Sequence, residues 1–126
     1  MSADRQFAIG ALGVFSLVTR ATPGGAPVEP DEAPSIVAMF LNGDATSEGN
    51  LDYNNTIEQR TLEGDPPNPG EPIVGRYRHT FNTGTFNADD VVEFVYRTTI
   101  NGVVRETSSV ATFRASFEEM PAFDAS

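Results

Sequence analysis

Polar and apolar residues alternate most regularly over residues 90–114, DVVEFVYRTTINGVVRETSSVATFR. Asn101-Gly102 sits between two runs rich in β-branched and aromatic residues. That dipeptide tolerates the positive φ angles of a type I′ turn, so the stretch predicts a two-residue hairpin. The turn sets the register. It pairs Ile100 with Val103, Thr98 with Arg105, Tyr96 with Thr107, Phe94 with Ser109 and Val92 with Ala111. Because side chains alternate between faces, Ile100, Tyr96, Phe94, Val92, Val103 and Phe113 are expected on the core side. The opposite side carries Arg97 directly across from Glu106, a cross-strand ion pair that faces water or a partner.

Upstream, the pattern is shorter-ranged. Residues 1–6 are polar and read as an arm, and residues 7–20, FAIGALGVFSLVTR, read as one extended segment. Residues 21–34 are dense in Pro and Gly and predict a long surface excursion. The apolar run 35–41, SIVAMFL, suits a strand buried on both faces, stopped by Asn42-Gly43-Asp44. Residues 44–55 read as a polar loop, and residues 56–62, TIEQRTL, as a charged edge strand. After the Pro-rich turn at 63–72, residues 73–81 resume strand character, with Ile73, Tyr77 and Phe81 inward and Arg76 and Arg78 outward. Residues 82–89 turn into the opening hairpin. Beyond the last strand, Phe117, Met120 and Phe123 recur at helix-like spacing, broken by Pro121. Apolar residues on a terminal arm need a cover, so these three are candidate subunit contacts.

Strand candidates, turn-forming residues and the lack of a credible long helix predict an all-β fold. Two packed antiparallel sheets suit the length better than a closed barrel. The expectation is an immunoglobulin-like β-sandwich, with a jelly roll as runner-up. The stretches 21–34 and 63–72 are expected to cross between sheets. Residues 1–126 are expected to form one domain, with 1–6 and 115–126 as terminal arms.

Charge and composition narrow the function classes. The net charge is −10, with eight basic residues against eighteen acidic ones. Binding a phosphate backbone needs cations, so neither nucleic acid nor an anionic membrane surface is an expected partner. Every basic residue is Arg, and there is no Cys, which removes disulfides and thiolate metal sites. No apolar run reaches the ~20 residues of a membrane-spanning helix. Residues 7–18 are apolar enough to raise a signal peptide, but the acid in MSADRQ and the interrupting glycines favour mature structure.

Candidate chemistry is sparse. His79 is the single histidine, with no thiol or nucleophile elbow to accompany it, and a strand histidine in a polar niche is expected. Asp31/Glu32, Asp89/Asp90 and Glu118/Glu119 are adjacent in sequence, whereas glycoside hydrolysis needs two acids facing across a cleft. Asp44, Glu48 and Asp52 invite a calcium site, but their spacing is not that of an EF-hand loop. Asn54-Asn55-Thr56 matches a glycosylation sequon. Among the tyrosines, Tyr77 and Tyr96 fall on core positions, leaving Tyr53 as the ring free to stack on a sugar. No catalytic residue, cofactor or metal is expected.

The order Gly75-Arg76-Tyr77, Phe81, Asp90-Val91-Val92, Asn101-Gly102 and Val110-Ala111-Thr112-Phe113-Arg114 resembles the second half of immunoglobulin-like modules in tailed-phage virion proteins. The first half is similar too, with a strand at 14–20, Glu29-Pro30-Asp31, and Pro34 leading into an apolar strand. A module of this size with short arms is most similar to a capsid decoration (cement) protein. The resemblance implies a non-enzymatic protein on the capsid exterior whose partner is the major capsid protein. It also implies a homo-oligomer, with a trimer favoured. The alternative is a carbohydrate-binding or adhesin-type module built on Tyr53.

Overall fold

The computed structural model describes residues 5–62 and 70–115. Among the described residues, eight strands follow in order: β1 (Arg5–Ala8), β2 (Leu12–Val18), β3 (Glu32–Leu41), β4 (Asp44–Thr46), β5 (Thr56–Thr61), β6 (Pro72–Asn82), β7 (Val91–Ile100) and β8 (Val103–Arg114). They form a five-stranded sheet in the order β1-β8-β7-β3-β4 and a three-stranded sheet in the order β2-β6-β5. The two pack as a sandwich, and the all-β expectation holds. Among the described residues there is no helix, and so none long and apolar enough to cross a membrane.

The central hairpin has the register that its turn dictates. Ile100 pairs with Val103, and the ladder continues through Arg97 opposite Glu106 to Val92 opposite Ala111. Asn101 and Gly102 take φ of 51° and 78°, the left-handed values of a type I′ turn. Along β7 the inward Val92, Phe94, Tyr96 and Ile100 are buried, and Phe113 continues the row on β8. Val103 does not. It is 51% exposed, because the first residues of β8 run past the edge of the smaller sheet. On the Arg97/Glu106 side, Val110 is buried.

The smaller sheet supplies the other half of the core from β6, where Gly75, Tyr77, His79 and Phe81 alternate inward. Phe81 packs 4.9 Å from Phe94 across the sheets, and Phe7 and Phe15 meet it at 5.5 and 6.0 Å. Each such ring removed from water contributes roughly 1.5–3 kcal/mol. Ile73, expected inward, is half-buried near the strand's start.

Several expectations change. Residues 7–20 are two strands rather than one, and the supposed arm residues Arg5 and Gln6 belong to β1. β1 pairs parallel with β8, Phe7 beside Phe113. Gly10, at φ 97°, then swings the chain into the opposite sheet. Thr83 holds this corner, accepting from the Gly10 N–H at 2.9 Å and donating to the Ala11 carbonyl.

The run 35–41 is not buried on both faces, since only Met39 within it is fully buried. β3 starts earlier and carries register shifts around Pro34 and Val37, where a residue without an N–H is tolerated. Asn42-Gly43 (φ 53° and 88°) is a second tight hairpin leading into β4, not merely a stop. β5 is an edge strand as its charges suggested. However, β5 and β6 are antiparallel neighbours, so residues 62–71 join a hairpin instead of crossing between sheets. The crossings are made at 9–11, 19–31, 47–55 and 83–90.

Candidate functional site

His79 sits at the centre of the sandwich with no exposed surface. Its ring packs 4.6 Å from Phe94 and 5.2 Å from Phe81. Nε2 lies 2.8 Å from Asn55 Oδ1 and Nδ1 lies 2.7 Å from the Tyr96 hydroxyl. An amide oxygen only accepts, so Nε2 carries the proton and the Tyr96 hydroxyl donates to Nδ1. Burial among rings disfavours the imidazolium and lowers its pKa from 6.5 to about 4. The niche expected from the sequence is therefore there. It holds a neutral histidine with both nitrogens occupied.

A second polar cluster fastens the 19–31 crossing to the smaller sheet. The Tyr77 hydroxyl donates to Glu29 Oε1 at 3.2 Å, and Gln59 Nε2 donates to the same carboxylate at 3.0 and 3.1 Å. Burial, reinforced by the Glu29 charge and hydrogen bond, pushes the Tyr77 phenol up to about 12. Gly75 has φ 71° here, and a Cβ on it would lie 2.7 Å from the Val28 carbonyl. Asp31 then ties the crossing to the hairpin tip, accepting from the Gly102 N–H at 2.7 Å. Both clusters are structural anchors.

One open feature remains beside them. Near the hairpin tip the larger sheet extends beyond β2, the edge strand of the smaller sheet, leaving a cleft of about 570 Å³. It is lined by Leu17 and Thr19 on the side of the smaller sheet and by Tyr96, Ile100, Arg105 and Thr107 of the larger one. Arg105 and Thr107 occupy core-side positions of β8 yet are exposed, since no strand of the opposing sheet covers them. Arg20 and Arg105 reach the intervening loop, donating to the carbonyls of Gly25 and Ala21 at 2.8 and 3.0 Å. On the outer side of β8, Arg97 Nε donates to Glu106 Oε2 at 2.7 Å, as the register required.

The remaining sequence candidates scatter. Tyr53 is not a free platform: it is 9% exposed and stacks on Phe86 at 5.2 Å, with Phe86 stacked in turn on Phe113 at 4.3 Å. A polar loop thus carries a core ring, which removes the aromatic on which the sugar-binding alternative rested. Asp90 organises a turn, accepting from the Asn87 N–H and from Asn42 Nδ2. Among the described residues, no group of three or more His, Cys, Asp or Glu comes together, Asp44, Glu48 and Asp52 included. Phe117, Met120 and Phe123 lie outside the described residues. Reasoning from sequence missed Phe86, Arg20 and Arg105. A hydrophobic residue inside the turn 82–89 was the available signal for the first, and polar residues on the core parity of β8 for the last. Compared with family models, with curated proteins and with solved structures, the chain matches none.

Proposed function

We propose that this chain is a non-enzymatic, immunoglobulin-like virion structural protein. In this reading it is a capsid decoration protein that binds the major capsid protein on the shell exterior and self-associates, with a trimer favoured. The observation that carries the reading is the strand order. A sheet β1-β8-β7-β3-β4 facing β2-β6-β5 corresponds to a G-F-C sheet, extended by a strand beside C, over a B-E-D sheet. The parallel seam of β1 with β8 closes the first strand against the last.

The chemistry of the interior supports binding over reaction. Its histidine is dry and doubly hydrogen-bonded, a setting suited to support and not to proton transfer. An acidic module of two packed sheets offers strand edges and loops, the parts by which such proteins clamp neighbours. The test is co-assembly with the major capsid protein, comparing the full chain with one lacking residues 117–126. Lower shell occupancy and a smaller sedimentation coefficient are expected for the truncated chain. Unchanged values of both would overturn the reading.

A further inference from the structure

The two ends of the sandwich carry complementary features. At one end, the 47–55 crossing is set by two turns, with the Asn50 N–H donating to the Ser47 carbonyl and the Tyr53 N–H to the Asn50 carbonyl. Asn82, the last residue of β6, fastens the loop by donating from Nδ2 to the Asp52 carbonyl at 3.0 Å and from its N–H to the Tyr53 carbonyl at 2.7 Å. Leu51 stands on this fixed loop, 90% exposed. A single exposed leucine is ordinary. This one shares its loop with the carboxylates of Glu48 and Asp52, and among the described residues neither acid has an ion-pair partner.

The cleft lies at the other end. β2 begins at Leu12, opposite Asn82, and finishes at Val18 beside the cleft. Leu17, Pro23 and Ile100 line it together with Arg20 and Arg105. Both arginines are exposed, and both are steadied by the same loop through the carbonyls of Gly25 and Ala21. A guanidinium has five N–H donors, so each keeps donors for a carboxylate. Among the described residues, the acid that lines the cleft is Glu106, which is already paired with Arg97. A chain of net charge −10 repels its own copies, and contact between copies is favoured where the local sign reverses.

We propose that the 47–55 loop of one copy seats in the cleft of the next. Leu51 packs against Leu17 and Ile100, and the Glu48 and Asp52 carboxylates meet Arg20 and Arg105. The inference rests on the self-association in the function proposed above and names the surfaces that make it. Because loop and cleft lie at opposite ends of the strands, the contact is head-to-tail and leaves a loop and a cleft unused in every open dimer. A repeated contact of this kind closes into a ring where the rotation between copies permits, and a ring of three is the trimer.

Sedimentation equilibrium of the full chain tests this with two variants and their equimolar mixture. Leu51→Arg sets a cation against Arg20 and Arg105, and Arg105→Glu sets an anion against Glu48 and Asp52. The wild type is expected to associate with rising concentration, and each variant alone to associate at least about tenfold more weakly. The mixture is expected to recover dimers of near wild-type affinity, because an intact loop on one variant meets an intact cleft on the other. Leu51 is 90% exposed, so its replacement leaves the core untouched and decides even where an Arg105 variant folds poorly. Wild-type association in Leu51→Arg, or a mixture no tighter than either variant alone, would overturn the head-to-tail contact while leaving the capsid reading to its co-assembly test. A wild type that stays monomeric at about millimolar concentration would overturn the contact and the trimer together.

Discussion

Lowering the pH should expose the cost of keeping His79 neutral. In the unfolded chain the imidazole titrates near 6.5, whereas in the folded chain it does so near 4. Because the folded value is the lower, the unfolded state takes up a proton first as pH falls. The stability contributed by the neutral ring is thus complete above pH 6.5 and is lost between 6.5 and about 4. The gap corresponds to about 3 kcal/mol, of which about 2.5 kcal/mol is lost by about pH 4.5. Having a single histidine makes the assay clean. Its ring signals in NMR should keep the Nε2–H tautomer and remain neutral on titration from pH 8 until about 4. Urea unfolding of the wild type and His79→Gln at pH 7.5 and 4.5 gives the linked energy, since the titration of the carboxylates is common to both. A folded-state midpoint near 6.5, or identical pH dependence in the two proteins, would refute the argument that burial among Phe81, Phe94 and Tyr96 controls this group.

Two further outcomes test the corners of the fold. Thr83→Val preserves shape but leaves the Gly10 N–H and the Ala11 carbonyl without their buried partner. A loss of about 1–3 kcal/mol in urea unfolding is expected, with Thr83→Ser close to wild type. Gly75→Ala demands a left-handed φ from an L side chain and presses its Cβ on the Val28 carbonyl. It should cost more than about 1 kcal/mol and speed amide exchange along the 19–31 crossing, and an unchanged midpoint would count against a fixed contact there.

What could be read from the residues alone was local. Asn101-Gly102 sets its own φ angles, and a two-residue turn leaves a single register, so every pair from Ile100/Val103 to Val92/Ala111 followed without knowledge of the fold. Alternation then placed Phe94, Tyr96, Tyr77 and Phe81 inward and Arg97 against Glu106. The same Asn-Gly signal at Asn42 was harder to use, because its return strand β4 is too short to show a period.

Assembly decided the rest. Whether residues 62–71 join neighbours or cross the sandwich depends on which strands pair, a matter of contacts distant in sequence, and the same Pro-rich composition serves either. Tyr53 and Phe86 lie in polar turns, and it is packing against Phe113 and Phe81, rings distant in sequence or in the opposite sheet, that takes them out of water. The cleft owes its existence to the mismatch of five strands against three, which leaves Arg105 and Thr107 on core parity without a cover. Hydrogen-bond periodicity within a segment is written in that segment. Which surfaces meet is settled by the summed burial of all of them together, and no single stretch of chain carries that information.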